Sequence, residues 1–316
     1  MDGDRVGLML PVWLAERYDG AYGDGKRFDE LRYLQCKLIL KPDRFTSAHV
    51  FKDFAQLVRR AADATGVSYR HSPKLHERPE VREVLFLDTG AFHLYNHGFI
   101  VRRRISYVDG FPVDDPEIVF KYRTPDMMVA QTTDVRPRIS GDYKIKFKIE
   151  MLPLKERIGG VRRLLAHNVE FGLSQAPEAD RLAMASLGHM SLPELQNLFP
   201  PLEKISCDGP DDVALVNQCI VEELMQDICR LDFGHHVHAV ANLALWRSRG
   251  DHHSFVGEFA YQLRFHGPDD ISLTALATCE RFFIELQQIA ADWLSLTTTK
   301  TGAVYRLKGN PPQAHE

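Results

Sequence analysis

A chain of 316 residues, 44% hydrophobic and 26% charged, carries enough apolar material for one large globular domain or two small ones, and no segment approaches the apolar length of a membrane span. Its 39 Lys and Arg against 43 Asp and Glu leave a net charge of -4, which excludes the overall positive field that drives non-specific nucleic-acid binding. Cys36, Cys207, Cys219, Cys229 and Cys279 are odd in number and never form a C-x-x-C pair, which argues against a zinc knuckle and suits a reducing compartment.

The N-terminus is acidic, and its brief apolar run to Trp13 and Leu14 lacks the charge and length of a signal peptide, so a cytoplasmic location is expected. Gly20, Gly23 and Gly25 mark a loop before the first strand, Tyr33 to Leu40. There Leu34, Cys36, Leu38 and Leu40 form an apolar face opposite Gln35 and Lys37. The helical spacing of Phe51, Phe54, Ala55, Val58 and Ala62 predicts an amphipathic helix over 47–65, closed by Gly66. Glu83 to Asp88 reads as a strand, Phe92 to Gly98 as a compact turn, and Asp109 to Asp115 as a loop between two further strands.

Those two strands carry the most informative chemistry. Arg102 and Arg104 lie on one face of the run Ile100 to Ile105. In Ile118 to Arg123, Lys121 and Arg123 share a face opposite Ile118, Phe120 and Tyr122. Asp142 to Met151 adds a third such face, with Lys144, Lys146, Lys148 and Glu150 opposite Tyr143, Ile145, Phe147, Ile149 and Met151. Like charges at cross-strand distance repel, so these faces predict an anion, supplied by a ligand or by internal carboxylates.

Residues 157–203 change character, with helix-like spacing at Val161 to Leu165 and at Leu182 to Leu187 and a cap at Ser191. They read as a helical insertion. Strands return at Cys219 to Leu231, His238 to Arg249 and Phe255 to Phe265, followed by a helix from about Ser272 to Leu296 and a tail, 310–316, expected to be disordered. The two long helices read as plugs or lids of the sheet structure. Eight strands with helices confined to ends and insertions predict an α+β fold: a single domain over 1–309 built on a closed, antiparallel eight-stranded barrel with flanking helices.

The runs Leu87-Asp88-Thr89, Gly98-Phe99-Ile100-Val101-Arg102-Arg103-Arg104 and Phe120-Lys121-Tyr122-Arg123 resemble motifs of the CYTH, or triphosphate tunnel metalloenzyme, superfamily. Lys37 corresponds to the lysine that ends that family's Glu-x-Glu-x-Lys signature. The resemblance implies a tunnel that binds triphosphate, with Lys37, Arg102, Arg104, Lys121 and Arg123 as phosphate ligands. It also implies Mg²⁺ or Mn²⁺ held by Glu150 and Glu258, the two residues expected to act in catalysis. The signature's two glutamates are replaced here by Tyr33 and Gln35, neither an ionised carboxylate.

Two functional expectations follow. One is a divalent-metal-dependent phosphohydrolase acting on a small-molecule triphosphate or on polyphosphate; the other is a catalytically inactive tunnel that binds the same polyanion. Nucleic acid is not expected as a partner, since no basic surface interleaved with aromatics accompanies the tunnel. Lys300 is a candidate further phosphate ligand. Asp88 is expected to anchor a turn through backbone N–H groups, Cys36 to lie in the core, and His235, His236 and His238 to be ordinary loop histidines.

Overall fold

The computed structural model describes residues 9, 13, 16–185, 188, 190–206, 212–267, 272–309 and 311–312, and of Met184 the backbone alone. The expected disordered tail and Cys207 fall largely or wholly outside these residues, as do most of 1–15.

Alternating apolar and polar residues fold into strands β1 (Leu31–Leu40), β2 (Ser68–His71), β3 (Glu80–Thr89), β4 (Phe99–Val108), β5 (Phe111–Thr124) and β6 (Lys144–Pro153). The second half adds β7 (Val161–Gly172), β8 (Met190–Ser191), β9 (Asp212–Leu215), β10 (Val221–Asp232), β11 (His238–Ser248) and β12 (Ser254–Arg264). Around them lie helices α1 (Val50–Thr65), α2 (His93–Asn96), α3 (Met127–Thr132), α4 (Arg181–Met184), α5 (Leu192–Leu198), α6 (Leu273–Ile289) and α7 (Lys300–Tyr305).

Nine strands close a barrel in the order β10, β11, β12, β1, β6, β7, β5, β4, β3, and β3 pairs back onto β10. All neighbours are antiparallel except β1 and β6, which run parallel. This corrects the expected eight-stranded antiparallel ring, and both differences have one origin. The additional strand is β7, read from sequence as the helical start of an insertion. Strand directions cannot alternate all the way round a ring of odd number, so admitting β7 forces one parallel pair. Its spacing misleads because both faces are covered: Leu164 and Ala166 alternate with Leu165, His167 and Val169, and all five are buried.

The outside of the barrel is covered on two sides. Helices α1 and α6 pack on β1 and β10 to β12 through Phe54, Val58, Phe282 and Phe283 against Leu34, Leu38, Phe259 and Tyr261. The long helices therefore clad the outer wall and are not plugs. On the other side, the short helices between Leu173 and Lys204 bury Phe199, Leu195 and Leu182 against Val101, Ile118, Phe120 and Val169 of β4, β5 and β7, with Phe120 and Phe199 stacked at 4.2 Å. Only this part of the expected helical insertion is helical.

A third apolar cluster lies inside the barrel. Ile39, Val84, Phe86, Ile100, Trp246 and Val256 surround Val304 and Tyr305 of α7, whose ring stacks on Tyr95 at 4.2 Å. The plug is thus the short last helix. It leaves a lumen that is apolar at one end and polar beyond it.

Two local devices align the arginine strand. Gly98, at φ +82°, turns the chain into β4, and a Cβ there would meet the Arg123 carbonyl oxygen at 2.7 Å. Asp88 accepts backbone N–H bonds from Thr89, Leu94 and Tyr95, as the sequence predicts, and so caps α2. Burial pushes its carboxyl up to about 7. Asp88→Ala would orphan these donors, and urea denaturation should show a loss of about 2–3 kcal/mol.

Candidate functional site

Inward alternation brings the charged faces together. Lys37 of β1, Arg82 of β3, Arg102 and Arg104 of β4, Lys121 and Arg123 of β5, Lys146 and Lys148 of β6 and Lys300 of α7 line a cavity of about 300 Å³. The same cavity is faced by Glu150 of β6, Glu170 of β7, Glu223 of β10 and Glu258 of β12. With every lining group ionised, nine basic against four acidic side chains leave a formal excess of five positive charges, one of which, Arg104, is paired with Glu117 at the mouth. A larger cleft of about 1650 Å³ shares Lys146 and Glu170 with the tunnel and opens beside it. Its lining carries seven acidic and six basic side chains, so the excess of positive charge belongs to the narrower space.

The carboxylates fall into three groups. Glu150, 1% exposed, accepts Lys37 Nζ at 2.7 Å and Lys121 Nζ at 2.5 Å on Oε1, and Arg123 Nη2 at 3.1 Å on Oε2. Burial alone would raise its pKa, but Lys121, Lys37 and Arg123 outweigh that and hold the carboxyl well below the usual range. Glu170 pairs with Lys146 at 2.5 Å, and Arg104 pairs with Glu117 near the mouth. At the plugged end Glu223 takes Arg82 at 2.8 Å and Lys300 at 3.0 Å, and Lys300 also reaches Glu258 at 2.8 Å.

Arg102 and Lys148 have no carboxylate within ion-pair distance among the described residues, and the buried Nε of Arg102 has no hydrogen-bond acceptor. Burial, reinforced by Arg104, lowers the Arg102 guanidinium to about 10. Burial lowers the Lys148 ammonium to about 7, with Lys37 and Lys146 adding to the effect and Glu150 and Glu170 opposing it. Both shifts express the same condition, cations held where positive charge is already in excess and water is scarce.

The divalent cation that the family resemblance implies would need carboxylate oxygens turned toward it. Glu150 commits both of its oxygens to three cations, and Glu223 and Glu258 share an ammonium. No group of three or more His, Cys, Asp or Glu side chains converges on a metal position among the described residues. As arranged, the donor set does not fit a hard dication. His235 and His236 sit exposed at positive φ on the β10–β11 turn, and His238 pairs with Asp232 at 3.3 Å.

All seven residues singled out from the sequence as phosphate, metal or catalytic groups face one cavity: Lys37, Arg102, Arg104, Lys121, Arg123, Glu150 and Glu258. Sequence reasoning missed Arg82 and Glu170. Arg82 becomes visible only when β3 is extended back to Glu80, putting Arg82, Val84 and Phe86 on one face. Glu170 was hidden by the helical reading of β7.

A closed barrel with an inward cationic face is the architecture that the resemblance to the triphosphate tunnel superfamily implies. No protein-family model matches the chain, and no curated protein does. Among solved structures, a protein from Hippeastrum described as a candidate adenylyl cyclase with a dominant triphosphatase activity aligns at 16% identity. That alignment covers 90% of this chain and 100% of that one, with a TM-score of 0.38. A candidate adenylate cyclase from Bacillus halodurans aligns at 10% identity over 84% of this chain and 93% of its own, with a TM-score of 0.36. A protein from Pyrococcus horikoshii aligns at 11% identity over 80% and 89% of the two chains, with a TM-score of 0.34. Superposition this loose transfers no residue's role, so the roles below rest on the chain's own geometry. Among the described residues no helix is long and apolar enough to cross a membrane.

Proposed function

We propose that the tunnel binds a linear polyphosphate, either inorganic or the triphosphate group of a small molecule. The observation that carries this reading is the excess of nine cations over four carboxylates in one small cavity, with Arg102 and Lys148 facing it without a carboxylate in contact. A chain of phosphates supplies several negative charges along a narrow line, and guanidinium and ammonium groups meet its oxygens through charge-assisted hydrogen bonds. The apolar plug around Tyr305 and Trp246 stops the anion at one end, so the ligand enters from the side of the larger cleft.

Calorimetric titration with inorganic tripolyphosphate, beside orthophosphate and sulfate, tests this. Saturable binding of tripolyphosphate that the shorter anions do not match is the expected result. Absence of binding at millimolar ligand would overturn it. Metal-assisted hydrolysis, expected from the sequence with Glu150 and Glu258 as metal ligands, would require both carboxylates to leave the cations they now contact. Phosphate release that EDTA stops would establish it in place of binding alone.

Lys148 gives the site a pH dependence of its own. An anion in contact favours its charged form, so binding takes up a proton wherever free Lys148 is neutral, above about pH 7. Relative to Lys148→Arg, which stays charged, the wild-type protein should lose affinity by up to about tenfold per pH unit as the pH rises above 7. Comparing the two proteins cancels the ligand's own titration. Parallel affinity profiles would remove Lys148 from the contact.

A further inference from the structure

The plugged end of the tunnel holds an arrangement that anion binding alone does not require. Glu223 and Glu258, 3% and 6% exposed, project from β10 and β12, which are separated by β11. Two buried carboxylates facing one space would ordinarily repel, and a dication between them is the common chemical solution. Here the Lys300 ammonium lies between them instead, 3.0 Å from Glu223 and 2.8 Å from Glu258, with the Trp246 ring 4.6 Å below it. Arg82 supplies the second cation, at 2.8 Å from Glu223. Two cations against two carboxylates make this end electrically complete.

The helix that carries this ammonium is also held in place. Thr299 caps α7 by accepting the Gly302 N–H, Asn217 Nδ2 donates to the carbonyls of Val304 and Tyr305 at 2.8 and 3.0 Å, and Tyr305 stacks on Tyr95. Because Val304 and Tyr305 are fully buried, the backbone that carries Lys300 cannot move away without extracting the plug. A dication arriving between Glu223 and Glu258 would therefore have to displace a positive charge already in contact with both.

Building on the polyphosphate reading above, we propose that Lys300 is a tethered counter-cation standing where a divalent metal would sit, so that the tunnel takes its polyphosphate as a free anion and not as a metal complex. Mg²⁺ then acts only in solution, by complexing the ligand and lowering the concentration of the form that enters.

Two measurements on the full chain test this. In the first, the wild-type protein is titrated with inorganic tripolyphosphate in EDTA and in excess Mg²⁺. Equal or tighter binding in EDTA is expected, whereas an affinity about tenfold or more higher with Mg²⁺ would overturn the proposal. In the second, Mn²⁺ alone is titrated into wild type, Lys300→Met and Lys300→Arg, and bound metal is read by electron paramagnetic resonance. Binding is expected to appear in Lys300→Met and to be absent from wild type and Lys300→Arg. Comparable Mn²⁺ binding by wild type would overturn the proposal. If tripolyphosphate binds under neither condition, the functional reading fails, while wild-type Mn²⁺ binding still decides the role of Lys300.

Discussion

Glu150→Ala should cost about 3–5 kcal/mol of folding stability, among the largest losses available from a single polar side chain in this protein. Glu150 is almost wholly buried and is the common partner of Lys37, Lys121 and Arg123. Its removal leaves three cations of β1 and β5 facing each other in a narrow cavity where water screens them poorly. An added anion can restore the missing charge, so tripolyphosphate should raise the melting temperature of Glu150→Ala by more than it raises that of wild type. The carboxyl's pKa is depressed in the folded state, so its contribution is present above the ordinary carboxylate pKa and is lost only as the pH falls through the depressed value. Denaturant titration of both proteins, with and without ligand, measures these effects. Stability within about 1 kcal/mol of wild type would show that Glu150 is not the electrostatic centre of the barrel.

Arg102→Ala should do the reverse. It is expected to weaken tripolyphosphate binding by about 10- to 100-fold, the worth of charged hydrogen bonds to a phosphate. Folding stability should be unchanged or improved, because no carboxylate among the described residues is in ion-pair contact with Arg102 and its burial beside Arg104 is itself costly. A residue that lowers stability while present and raises affinity for an anion is one that the fold retains for binding. Calorimetry paired with thermal denaturation separates the two effects. Undiminished binding would take Arg102 out of the site, and a marked loss of stability would mean that its charge serves the barrel.

The opposite signs expected for Glu150 and Arg102 follow from where each sits in the charge pattern, and that pattern was only partly legible in the chain. Alternation in β4, broken only by Arg103, and in β5 and β6 gathered cations on one face of each strand and so implied an anion. Alternation cannot say whether the anion is a carboxylate or a ligand. That depends on which strands become neighbours, since Lys37, Lys121 and Arg123 meet Glu150 only because β1 lies parallel to β6 and β5 lies two strands away across β7.

β7 was illegible for a related reason. A strand covered on the lumen side by neighbouring side chains and on the outside by a helical segment loses the polar face that reveals a two-residue period, and Val161, Leu164 and Leu165 then imitate a helix. The plug shows the same limit at the level of packing. The long apolar stripes of α1 and α6 predicted correctly that something would cover them, but a stripe does not specify whether its partner is the inside or the outside of a barrel.

By itself, then, the sequence determined the strand faces, the turn anchored by Asp88, the cap at Ser191 and the presence of a concentrated cationic surface, because each depends on residues close together in the chain. Tertiary structure alone decided that the barrel has nine strands with one parallel pair, that Glu150 pairs with three of the cations while Arg102 and Lys148 keep facing the cavity, and that Lys300 stands between Glu223 and Glu258. Those are matters of ring closure and of charges brought into contact from distant parts of the chain, and neither is written in any local period.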